Sequence, residues 1–229
     1  MNKNIKILME SLFDEETDNI LSSDKDSINN TFAEKITGIT IGKDKIEYEA
    51  VDLDLPSGNL WCDKNIGAST PLKIGGYFPR KSFSVSRISP NKSKNINLVT
   101  YLDLLNKRPK GCKTIPEFIL GHGWDIPTKD NIDELINNTK VEPIQNKNNC
   151  IIAYKLISLK NANKFIIIPI SGYIKIHNLY DKKDAMFWSS TAITSYDCNY
   201  SFYIHDKFNI SLAAADLLSS LPIRAIRKK

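Results

Sequence analysis

Four cysteines, three histidines and a tyrosine-rich stretch near the C-terminus have the most obvious chemical reach in this 229-residue chain. Cys62, Cys112, Cys150 and Cys198 are widely spaced and form no Cys-x-x-Cys pair, which disfavours zinc ribbons and dithiol redox motifs. They read as reduced, scattered, half-buried thiols. His122, His177 and His205 form neither His-Glu-x-x-His nor any i,i+4 pair. No glycine-rich phosphate loop, Ser/His/Asp order or paired-carboxylate motif stands out. The expectation is a non-enzymatic chain with no catalytic residue, no metal and no cofactor.

The tyrosine-rich stretch offers recognition instead. Thr191, Thr194, Ser195, Tyr196, Asn199, Tyr200, Ser201 and Tyr203 have the composition of adaptable binding loops. Tyrosine supplies large amphipathic contact at low entropy cost, while Ser and Asn supply flexible hydrogen bonding. Ser195, Tyr196, Asn199 and Tyr200 are the candidate ligand-surface residues. The competing reading is that Tyr200 and Tyr203 alternate into a sheet core, and spacing alone leaves both open.

Charge is uneven. Residues 1–50 carry six lysines against eleven Asp/Glu, although the whole chain has a net charge of +5. Between 80 and 113, nine Lys/Arg face a single acid, Asp103. A basic stretch can attract nucleic acid or an acidic surface; a solvated lysine-rich loop is the preferred reading, and nucleic acid is not the expected partner. No segment approaches the ~20 consecutive apolar residues of a membrane-spanning helix. Residues 1–16 lack a long apolar core and a small-residue cleavage site, so no secretory signal is expected.

These residues need elements to position them. Ile5, Leu8, Met9, Leu12 and Phe13 fall at i, i+3, i+4, i+7 and i+8, one apolar stripe of a short helix. Such a helix is marginal alone and needs a surface, either its own domain or a partner's groove. A Ser/Asp-rich tether follows at 22–27. The expected division is an N-terminal helix and polar tether over 1–38, for attachment or oligomerisation, and a folded domain over 39–229. In the domain, short strands are expected at 39–42, 45–51, 59–61, 150–159, 164–170, 172–176, 186–190, 200–204 and 221–226. A strand or helix is expected at 98–105. A helix is expected over 127–136, with Thr128 as N-cap and Ile132, Leu135 and Ile136 on one face. Many short strands with few helices imply an α+β fold with mostly antiparallel sheet.

The order of several short motifs is more specific. Val51-Asp52-Leu53-Asp54-Leu55-Pro56-Ser57-Gly58-Asn59-Leu60-Trp61, ending in Asn65-Ile66-Gly67-Ala68, resembles the "VDLGLPSGTLWA…NVGA" opening of the Fibrobacter succinogenes major paralogous domain family. Gly75-Gly76-Tyr77-Phe78 resembles its "GDYFAWGE", and Gly123-Trp124-Asp125-Ile126-Pro127-Thr128 its "WRLPT". Ile168-Pro169-Ile170-Ser171-Gly172-Tyr173, Phe187-Trp188-Ser189-Ser190-Thr191 and Pro222-Ile223-Arg224-Ala225-Ile226 are similar to "LPAAGY", "YWSST" and "SVRPV". The resemblance covers about 48–227; Pro79-Arg80-Lys81 replaces "AWGE", Asp125 replaces the arginine of "RLPT", and 1–47 lie outside it.

The resemblance implies a C-type-lectin-like fold, related to the variable proteins of diversity-generating retroelements and distantly to formylglycine-generating enzymes. In the variable proteins the C-terminal part forms the ligand face. Trp61, Trp124, Trp188 and Arg224 are expected as scaffold, with Asp52 one possible partner for the arginine, which otherwise needs several carbonyls. A formylglycine-type oxidase would need a reactive cysteine pair, which the spacing of Cys150 and Cys198 does not demand. Glu142-Pro143-Ile144 and the two serines after Trp188 depart from calcium-lectin ligand patterns, so no calcium site is expected.

The functional expectation is a phage virion structural protein, a head fibre or capsid decoration, assembled in the host cytoplasm. The N-terminal segment would join capsid or other virion proteins, the chain would homo-oligomerise, and the body would meet a host-surface glycan or protein. The alternatives are a soluble cytoplasmic or effector-like protein-binding module and a diversified receptor-binding protein; the formylglycine-type oxidase is the weakest reading.

Overall fold

The computed structural model describes residues 46–80, 113–175, 178–194, 196–205, 209–216 and 218–229, and the backbone alone of 33–37. Ile5, Leu8, Met9, Leu12 and Phe13 lie outside the described residues, as do the elements expected at 39–42 and 98–105, the basic stretch over 81–112, Cys112, His177 and Ser195.

The described residues form mostly antiparallel β-sheets with two short helices. In the first sheet, β1 (Ala33–Thr37), β2 (Glu47–Asp52) and β3 (Leu60–Cys62) are followed by two short strands from far along the chain. These are β15 (Ile226–Arg227) and β5 (Trp124–Asp125). Ile226 lies opposite both Trp61 and Asp125, so the last strand closes over the opening motif. β1 pairs with β2 from Ala33↔Val51 to Thr37↔Glu47, so this sheet starts before residue 39.

A second sheet runs in the order β10 (Asn178–Tyr180), β9 (Tyr173–Lys175), β14 (Ser219–Leu221) and β4 (Phe78–Pro79). A third joins β6 (Thr139–Gln145), β7 (Ile151–Ser158) and β8 (Phe165–Pro169). A fourth, β11 (Ala185–Ile193), β12 (Cys198–His205) and β13 (Asn209–Asp216), is an up-and-down meander.

β11 explains how these layers cohere. Ala185, Met186, Phe187 and Trp188 are all buried. Alternate side chains point to opposite faces of a strand, and here both faces are dry. Ala185 and Phe187 join a core with Trp61, Leu156, Ile166, Phe202 and Ile204, while Met186 and Trp188 join one with Phe78, Phe118, Trp124 and Ile223. A strand between two cores reads as a continuous apolar run. Phe187 stacks on Phe202 with ring centroids 4.4 Å apart and meets Trp61 edge-on at 6.0 Å. Both are favourable aromatic geometries.

The helix α2 (Lys129–Asn137) starts where the sequence places it. Thr128 Oγ1 accepts from Asn131 N, and Asn131 Oδ1 accepts from Thr128 N, a reciprocal capping box. Ile132 and Leu135 are fully buried. The helix α1 (Ile115–Leu120), capped by Thr114 and stopped at Gly121, was not expected. Its two turns at the end of a basic run are too short for periodicity to register. β6, β10 and β13 were also not expected. The strand expected over 221–226 divides into β14 and β15 around Pro222. Among the described residues no helix is long and apolar enough to cross a membrane.

Candidate functional site

The Tyr/Ser/Asn-rich stretch forms the far end of the β11–β12 hairpin, and its base is held from three directions. The β11–β12 register shifts between Trp188 and Ala192, which frees the groups of Ser189, Ser190 and Thr191 from the ladder. They bond elsewhere. Ser190 N donates to Pro127 O at 2.8 Å, and Thr191 Oγ1 accepts from Lys129 N at 2.9 Å, tying the irregularity to the start of α2. Trp188 donates through its backbone to Pro222 O at 3.0 Å and through its indole Nε1 to Phe78 O at 2.6 Å.

Beyond that base the chain turns tightly: Tyr196 N donates to Ile193 O and Cys198 N to Tyr196 O. Tyr196 is 73% exposed, the most exposed large apolar side chain among the described residues. Tyr200 is half-buried, with the Lys129 ammonium 5.8 Å from its ring centroid. Lys129 also pairs with Asp133, whose carboxylate pushes the ammonium pKa up. The hairpin end therefore presents one free tyrosine and one tyrosine beside a cation.

Asn199 does not join this surface. It is 2% exposed, and its Nδ2 donates to Ser189 O at 3.0 Å, so it braces the irregularity from inside. Its Oδ1 has no partner among the described residues. Asn199 lies opposite Ala215, whose side chain faces a core. Tyr203, four residues on, packs against that same core.

Trp61 and Trp188 are fully buried and Trp124 is 3% exposed. Arg224 is also fully buried, but Asp52 is not its partner. Its Nε donates to Asn65 Oδ1 at 2.9 Å, Nη1 to Cys62 O at 3.0 Å and Nη2 to Ile167 O at 2.7 Å. Neutral acceptors satisfy its fork, and burial lowers its pKa to about 10. Asp52 instead accepts from Asp54 N, and Lys164 Nζ sits 3.9 Å from Asp52 and 2.7 Å from Asp54.

One polar cluster carries no signal in the sequence. Buried Asp184 accepts from the Tyr203 hydroxyl at 2.7 Å and faces His205 Nδ1 at 3.0 Å. Burial, then the Asp184 carboxylate, push the Tyr203 hydroxyl well above the usual phenol range. Asp184 N donates to Asp181 O, and Asp184 O accepts from Ser171 N and Gly172 N. Gly172 has φ +55°, and a Cβ there would meet Tyr180 O at 2.1 Å, so only glycine fits. A histidine oriented by a carboxylate can serve as a base. His205 meets Asp184 and Tyr203, and through Asp184 the cluster ties a loop to β12.

Cys62, Cys150 and Cys198 are free thiols. Among the described residues no group of three or more His, Cys, Asp or Glu could hold a metal ion. Comparison with family models, with curated proteins and with solved structures gives no match.

Proposed function

We propose that this chain is a non-enzymatic phage virion protein, a head fibre or capsid decoration, whose C-type-lectin-like body offers the β11–β12 hairpin end to a ligand. The observation that carries the binding role is Tyr196, 73% exposed on a tight turn above a base fixed by Trp188, Ser190 and Thr191. An exposed aromatic on a rigid support binds with little ordering cost.

Two features support the lectin-like reading. The motif segments, dispersed along the chain, are joined to one another by hydrogen bonds. The opening motif meets the closing one through Asn65–Arg224 and through Ile66 N to Ile223 O. It also meets the Gly75–Gly76 segment through Gly76 N to Ile66 O. Tyr77 donates to Ser171 O, Trp188 to Phe78 O and Ser190 to Pro127 O. The second feature is Asp54, which stands where the family's opening has glycine and adopts φ +55°. Aspartate tolerates this left-handed region better than most residues.

The test uses particles of the phage that encodes the chain. Full-length protein should be found in purified virions, and a chain starting at Thr31 should unfold as cooperatively yet fail to join them. Recovery of the full chain only in the soluble fraction would refute the virion role. Tyr196→Ala should weaken adsorption of decorated particles to host cells with no change in Tm; unchanged adsorption would remove the hairpin end from the binding role.

A further inference from the structure

We draw no further inference here: the strongest candidate, the aromatic and acidic patch between the β9–β10 hairpin and the end of β12, where Tyr173 stacks on Tyr180 and Tyr203 on His205 beside Asp181 and Asp184, carries nothing, because nothing in the structure shows what covers it.

Discussion

Replacing Trp188 by phenylalanine and by alanine separates the two ways this residue holds the hairpin. Its ring is fully buried, and its indole N–H donates to Phe78 O across 110 residues of chain. Phenylalanine keeps most of the ring but removes the donor. A buried acceptor left short of a partner costs about 1–3 kcal/mol, and the lost ring volume adds roughly 1 kcal/mol. Trp188→Phe should thus cost about 2–4 kcal/mol. Trp188→Ala also opens a cavity in the core shared with Phe118, Trp124 and Ile223, and should cost about 3–5 kcal/mol or somewhat more. Trp61→Ala, which removes the edge-on partner of Phe187, should fall in the same range of about 3–5 kcal/mol. The assay is urea unfolding of the full chain at constant m-value, read as the shift in midpoint. If Trp188→Phe unfolds at the wild-type urea concentration, the indole bond contributes nothing. If either alanine variant does so, that tryptophan is not scaffold, and the hairpin has another support.

Two further outcomes follow from single backbone and side-chain positions. Asp54 sits at φ +55° with its carboxylate 2.7 Å from Lys164 Nζ; glycine and alanine both lose the ion pair, but only alanine keeps the left-handed strain. Asp54→Gly should therefore be more stable than Asp54→Ala by about 1 kcal/mol, and equal thermal midpoints would show that the loop relaxes. Burial, with Asp63 adding to it, pushes the Cys62 thiol up to about 12 from its ordinary 9. A folded-state pKa above the unfolded one gives stability that is complete below pH 9 and is lost as pH climbs toward 12. Cys62→Ser should flatten that alkaline fall, by up to about 4 kcal/mol. An alkaline limb identical in Cys62→Ser and wild type would mean that this thiol ionises as readily in the fold as in the unfolded chain.

What could be read from sequence was the part that local rules decide. Thr128 and the spacing of Ile132 and Leu135 specify α2 without reference to anything distant. The β-branched run before Pro169 specifies β8 in the same way. Asn199 shows where this fails. Composition makes it a ligand residue, but the structure buries it, because β12 is covered on both faces and Phe202 and Ser201 are equally inaccessible. A strand dry on both sides has no outward parity for a pattern to report. Arg224 fails more narrowly: its need for acceptors was legible, but Asn65, Cys62 and Ile167 come from segments up to 162 residues away. Asp184, Tyr203 and His205 meet only because Ala185 pairs with Ile204, a long-range register that no spacing announces.

The hydrogen-bond pattern also separates the residues that stabilise the fold from those free to recognise something. Trp188, Ser190 and Thr191 each bond to another segment, so changing one disturbs two places at once. Among the described residues Tyr196 bonds only within its own turn through the backbone, and its side chain is largely exposed. Substitutions at the tip then change the proposed ligand surface and leave the core alone, whereas substitutions two to four residues into the base also disturb the bonds that hold it. Functional residues on loops above a rigid scaffold commonly have this freedom. Tyr200 stands at the boundary, half-buried and held beside Lys129. A change there reaches both the surface and the start of α2, because Lys129 N is the donor to Thr191. The separation therefore runs between Tyr196 and Tyr200, inside a single hairpin.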